Sequence, residues 1–403
     1  LVLFAAFFSG ILLALTSYTR SFKEAQAFII PLMLLCLVPG ILCLLPGLQL
    51  TGLLAVTPLV NIVLLARDML EGAVDGRLAT VAVLSTGFYV LGAVALAARI
   101  FGTDAILYGS EAGWFAWANP TRHRRPALDA TAAIGCLAAL FPCYFVLSGL
   151  ATRTTGMAVD RNLVLCSLVT IMLFAGTPFL VCSLAGVPWK QGLRLSRPAG
   201  VALLGAAVLG LSLWPTAFEI VQWQRAAGMT ALGDQQLASV KQLADSLPEV
   251  PIALLLVTLA VVPGVCEELF FRGFLMSALR TSMSPAKAII ASAVLFGVFH
   301  VVTASMLAEW RFLPSTFLGL ALGWVCYRTG SVIPGMVLHV LHNGFLVSLA
   351  HYQHELANWG LGSETARHLP ATWVIGSFAV AAVGIVLVAR SSAVAAQTTL
   401  SPT

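Results

Sequence analysis

The chain of 403 residues is 59% hydrophobic, and only 10% of its residues are charged, against about 25% in an ordinary soluble domain. That balance excludes a water-soluble enzyme and reads as an all-α, polytopic transmembrane helical bundle whose apolar surface faces lipid as well as a protein core. The formal charge of +5 arises from Lys and Arg in short loops, as in cytoplasmic loops; without a long basic tract or aromatic–basic alternation, no nucleic-acid partner is expected.

A membrane-crossing helix needs roughly 20 apolar residues. Residues 1–16 give a first span. The sequence is apolar from Leu1 with no charged segment before it, so no signal peptide is expected, and the chain reads as a piece of a longer protein. A polar, basic loop at 18–26 leads to a second span at 28–48, punctuated by Pro31 and Pro39. Residues 53–66 are apolar but short, which fits a re-entrant or interfacial segment better than a crossing. After the polar connector 67–72, residues 79–100 form a clear span.

Composition changes over 102–126, where Arg122-His123-Arg124-Arg125 reads as a topology signal in a loop between domains. Spans follow at 128–150, 163–184 and 199–221, and the basic loop of Lys190, Arg194 and Arg197 belongs in the cytoplasm by the same charge rule. A long polar loop is expected over 222–249. Residues 251–262 are apolar up to Pro263-Gly264, where a kink is expected because an internal proline removes one helical hydrogen bond. The last spans lie at 286–302, 312–327, 332–350 and 372–388, followed by a small polar tail expected to be disordered. The organisation expected is a membrane region at 1–113, connecting transmembrane helices at 114–198, a further membrane domain at 199–390 and a tail at 391–403. The eight cysteines all fall in apolar segments without a CxxC pair, so they read as small buried hydrophobes rather than a disulfide framework or thiolate metal site.

Three polar islands interrupt the last block. Glu267-Glu268 is followed by Arg272; Phe296 precedes His300 by four; His339 precedes Asn343 by four. Ionisable residues at membrane depth are costly and point to a functional site with a nearby partner. Glu268 and Arg272 share a helix face, whereas Glu267 points about 100° away. One carboxylate can therefore be neutralised while the other faces a cavity as a general base. His339 beside Asn343 is suited to stabilising a developing oxyanion. Water held between Glu267 and His300 would then hydrolyse a peptide or amide bond without a covalent intermediate. Glu267, His300 and His339 also match a catalytic zinc set, although no HExxH motif occurs. Zinc-assisted and metal-free hydrolysis both stay open. The alternative for the charged cluster is a structural ion-pair network. His342 reads as a neighbour or helix contact, Phe270, Phe271, Phe274 and Phe299 as packing, His351, His354 and Glu355 as interfacial, and Trp310, Trp324 and Trp359 as interfacial anchors.

These three motifs, in this order, resemble those of the CPBP family of intramembrane proteases, the type II CAAX prenyl endopeptidase-like group, over roughly residues 203–388. The resemblance implies an all-helical membrane core and a catalytic set of Glu267, Glu268, Arg272, His300, His339 and Asn343. In that set Glu267 activates water with His300, and His339 with Asn343 binds the oxyanion. Residues 20–26, Arg-Ser-Phe-Lys-Glu-Ala-Gln, with the proline-containing span after them, resemble the permease subunit of sodium-efflux-type ABC transporters over about 1–113. No GxxxxGK[ST] motif occurs, so transport would need a separate ATPase subunit. The expected partners are a peptide or membrane-protein substrate and the lipid bilayer, with the cell membrane as location. Competing readings are a non-catalytic membrane scaffold or immunity protein, and a transporter permease subunit.

Overall fold

The structure is a computed structural model. It describes residues 2–19, 21–42, 48–101, 128–152, 159–228, 247–302, 311–353, 355 and 368–391. Among them every regular element is helical. Seven helices are long and apolar enough to cross a membrane, so the chain is an all-α integral membrane protein. It divides into two compact units, Leu1–His123 with Asp129–Leu147, and Arg124–Leu128 with Ser148–Thr403. The division falls inside the 114–198 stretch read as connecting helices.

The first unit holds α1 (Val2–Tyr18), α2 (Phe22–Leu42), α3 (Gly52–Val56), α4 (Val60–Glu71), α5 (Gly76–Phe101) and most of α6 (Ala130–Thr152). Helix α2 begins earlier than the polar loop expected at 18–26 allows. Ser21 Oγ accepts from the Glu24 backbone N–H at 3.3 Å, which caps the helix and lets Phe22–Gln26 join it. The short stretch at 53–66 is a broken pair of helices, α3 and α4, with Leu59 between them at φ 69°. Asn61 is buried at the break, and its amide donates to Ala55 O, Ala82 O and Thr86 Oγ1 at 3.1–3.2 Å. Tyr89 also donates its hydroxyl to Val56 O. Thus α5 supplies the partners that a broken helix in an apolar setting requires.

The second unit holds α7 (Val159–Ala185), the short α8 (Trp189–Gly192), α9 (Gly200–Ala226), α10 (Ile252–Leu279), α11 (Pro285–Val302), α12 (Phe312–Thr329), α13 (Ile333–His351) and α14 (Ala371–Arg390). Helix α9 outlasts the expected start of the polar loop at 222. Between Val221 and Gly228 no helix breaker occurs, and the Gly228 φ of 68° ends the helical stretch. The rest of that expected loop, 229–246, and the tail 392–403 lie outside the described residues. So do Trp310, His354 and Trp359. Trp324 is half-buried and packs against the core. Of the cysteines, Cys182, Cys266 and Cys326 are buried, but Cys143 is exposed; an apolar helix face directed outward tolerates it as well as a core does.

Leu209 and Leu213 of α9, Leu318, Leu322 and Val325 of α12, Leu338 of α13 and Val388 of α14 form the core beside the polar islands. The discontinuity expected at Pro263 takes the form of a π-helical stretch, Val257–Val261, directly before it, and a second runs over Leu269–Leu275. Such stretches concentrate at functional sites. Helix α13 crosses α10 at Gly264, where a Cβ would lie 2.7 Å from Val340 Cγ2 and 3.0 Å from Val340 N. The approach brings His339 against the carboxylates, and only glycine permits it. Gly264→Ala should lower stability by about 1–3 kcal/mol in thermal unfolding of the detergent-solubilised protein. Gly135→Ala in α6, where a Cβ meets nothing within 4 Å, should not.

Candidate active site

The three islands of the sequence meet in the second unit. Helix α10 carries Glu267, Glu268 and Arg272; α11 carries Phe296 and His300; α13 carries His339 and Asn343. Glu268 and Arg272 are fully buried, and Arg272 Nη1 donates to Glu268 Oε1 at 2.8 Å. The same carboxylate oxygen accepts from His339 Nδ1 at 3.0 Å. Arg272 is held further by Gly319 O, 3.2 Å from Nη2, and by the Phe296 ring, whose centroid lies 4.3 Å from Cζ. A guanidinium over a ring face gains cation–π attraction, most when water is excluded.

Glu267 has different surroundings. Its Oε2 lies 3.7 Å from His300 Nε2, and the two side chains keep 14% and 13% exposure. That distance is too long for a direct hydrogen bond. His300 Nδ1 lies 2.8 Å from Phe296 O. A carbonyl only accepts, so the proton sits on Nδ1, and Nε2 of the neutral ring is an acceptor. The site thus divides its paired carboxylates: Glu268 Oε1 accepts from a guanidinium and an imidazole, while Glu267 Oε2 faces His300 Nε2 without a hydrogen-bond partner of its own.

Asn343 is the residue whose surroundings the sequence did not reveal. Its Nδ2 lies 3.4 Å from Leu259 O. An α-helix would serve that oxygen from the N–H of residue 263, which is proline and has none. The amide therefore stands where the missing donor would be. Phe296 is also more central than its motif position suggests. Its ring lies 4.2 Å from that of His300 and 5.8 Å from that of His339, in addition to Arg272. Arg311, just before α12, interacts electrostatically with Glu267 and His300; its place between apolar spans was the only sequence signal for it. His342 is a helix contact, with Nδ1 3.3 Å from Gly210 O. Phe270, Phe271, Phe274 and Phe299 are buried. All but Phe274 gather round Phe174 of α7, with ring centroids 5.0–6.1 Å away.

Among the described residues, no group of three His, Cys, Asp or Glu side chains is arranged to hold a metal ion. Of the trio open to zinc in the sequence, Glu267 pairs with His300, while His339 commits its Nδ1 to Glu268. These donors do not converge as a ligand set.

Residues 249–345 match the family model described as type II CAAX prenyl endopeptidase Rce1-like. This segment contains all three islands, and the match supports a membrane-embedded enzyme of the protease class. It does not extend to the first unit. No curated protein and no solved structure matches the chain.

Removing one member of a buried ion pair strands a charge, at a cost of about 3–5 kcal/mol. Arg272→Met alone should therefore unfold the protein at markedly lower temperature. The paired variant Arg272→Met with Glu268→Gln should recover much of that loss. Thermal unfolding of the two single variants and the double variant measures the coupling directly.

Proposed function

We propose that the second unit is an intramembrane endopeptidase that hydrolyses peptide bonds with a water activated by Glu267 and His300. The observation that carries this reading is the facing pair of acceptors, Glu267 Oε2 and His300 Nε2, 3.7 Å apart. One water between them donates an O–H to each and keeps a lone pair for attack. Its oxygen adds to the scissile carbonyl carbon while its proton passes to Glu267. The tetrahedral oxyanion is met by His339 as the imidazolium, whose Nδ1–H donates to Glu268 and whose Nε2–H is left to donate to the oxyanion. Asn343 uses one amide hydrogen toward Leu259 O and retains another for the oxyanion. When the C–N bond breaks, Glu267 returns its proton to the leaving amine. Glu268 is the less suited base because its side chain is fully buried and its Oε1 is held by Arg272 and His339.

The family description favours a prenylated C-terminal peptide as substrate, with an unprenylated peptide or a membrane protein as the comparison. The same reading makes the chain a multi-pass protein of the cell membrane. The permease-like character of residues 1–113 rests on the sequence resemblance alone, and transport by it would require a separate ATPase subunit.

The test is cleavage of prenylated and unprenylated peptides by the purified protein in lipid. Glu267→Gln and His300→Ala should each lower kcat by about 10²–10⁴-fold while thermal unfolding stays near wild type. Loss of activity with chelator and its recovery with zinc would replace the metal-free reading with a metal-assisted one. Wild-type cleavage undiminished in Glu267→Gln would overturn the assignment of the base.

A further inference from the structure

The second unit holds another polar cavity, at the C-terminal end of α10. It has a volume of ≈ 230 Å³ and is lined by Gln191, Arg194, Ser277, Arg280 and Thr281, with Leu128 among its apolar residues. No carboxylate lines it. Two guanidinium groups share the space, and Arg194 Nη1 and Arg280 Nη1 are both shielded from solvent without a hydrogen-bond partner. Like charges gathered this way repel each other and forgo hydration, so the arrangement calls for an anion.

The cavity is held open by contacts of its own. Arg194 Nε donates to Ser277 Oγ at 2.9 Å. The Arg194 backbone carries a φ of 52°, and its carbonyl accepts from the Val332 N–H at 3.0 Å. The loop is pinned again where Ser331 Oγ donates to Ser196 O at 2.7 Å. A left-handed backbone at a non-glycine residue costs free energy and persists where its surroundings fix it. Arg280 lies over the Tyr327 ring, 4.9 Å from its centroid. Burial, and then the charge of Arg280, lower the Arg194 pKa to about 10, which leaves it charged at neutral pH.

We propose that Arg194 and Arg280 form a binding site for a phosphate-class oxyanion, either the headgroup phosphate of an anionic lipid or free phosphate. Two guanidinium forks and the Gln191 amide offer more N–H donors than a two-oxygen carboxylate absorbs, and suit the several oxygens of a phosphate. The cavity stands where α10 ends after its apolar span, at the level where lipid headgroups meet a membrane protein.

The experiment is thermal unfolding of the full chain in uncharged detergent at constant ionic strength. It is titrated with inorganic phosphate, with phosphatidic acid in mixed micelles, and with diacylglycerol as the same lipid without phosphate. Saturable stabilisation by inorganic phosphate beyond equal chloride assigns the free anion. Stabilisation by phosphatidic acid alone, absent with diacylglycerol, assigns the lipid headgroup. In either case Arg280→Gln should weaken apparent affinity about tenfold or more, whereas Lys190→Gln, in α8 beside Gln191 but not lining the cavity, should leave it unchanged. Arg280 decides the matter because Arg194 also closes its loop through Ser277, so its loss disturbs folding by itself. Native mass spectrometry of the wild type is the independent measurement, expected to find a phosphate-bearing adduct. No stabilisation by either phosphate source and no such adduct, or equal stabilisation in wild type and Arg280→Gln, would overturn the proposal.

Discussion

The buried pair of Glu268 and Arg272 is the constraint that the second unit is arranged around. Neither side chain retains any exposure, and an unpaired charge at such depth costs several kcal/mol. Each is therefore met by protein groups, although Glu268 Oε2 and Arg272 Nε keep no hydrogen-bond partner. His339 from α13 meets the carboxylate, while Gly319 from α12 and the Phe296 ring from α11 meet the guanidinium. Satisfying one ion pair thus fixes four helices relative to one another, including all three that carry the polar islands. The proposed catalytic assignment builds on this: Glu268 Oε1 is committed to Arg272 and His339, and Glu267, beside His300, is the carboxylate proposed as the base.

Phe296 shows how an apolar residue completes such an arrangement. Its ring is shared by Arg272, His300 and His339, and its carbonyl holds the His300 Nδ1 proton. A ring with a negative face beside a guanidinium replaces part of the lost hydration. At the same time the carbonyl fixes the tautomer that turns Nε2 toward Glu267. The Phe-x-x-x-His motif therefore makes sense at both positions: the side chain stabilises the structural charge, and the main chain sets the tautomer on which the proposed chemistry relies.

Much of this was legible in the sequence. The four-residue spacings placed Glu268 beside Arg272 and turned Glu267 elsewhere, and the low charge content identified a membrane helical bundle. Less visible were features that depend on a partner far away in the chain. The split at 53–66 was readable as a short apolar stretch, but the Asn61 hydrogen bonds that stabilise the break reach α5. The early start of α2 was present as Ser21 and Glu24 and was outweighed by the surrounding polarity. The extension of α9 past Val221 follows from the absence of a breaker, which composition alone reads as loop. The π-helical stretches in α10 leave no periodic signature, because they are short insertions into a segment apolar on most faces.

Pro263 is where these levels join. A proline removes one N–H from the helix and, in lipid, the carbonyl it would have served has no water to turn to. The π-helical stretch before it redistributes the hydrogen bonds, and the Asn343 amide approaches Leu259 O from α13. That approach in turn needs α13 close to α10, which Gly264, the residue after the proline, permits. The Pro-Gly pair thus withdraws one helical donor and admits the helix whose Asn343 amide reaches Leu259 O. The Asn343 amide is thereby tied to the α10 backbone, and its second amide hydrogen is the one that the proposed oxyanion role would use. A residue can in this way be structural through one hydrogen and functional through the other, so a loss of activity on its replacement has to be read together with the stability of α10.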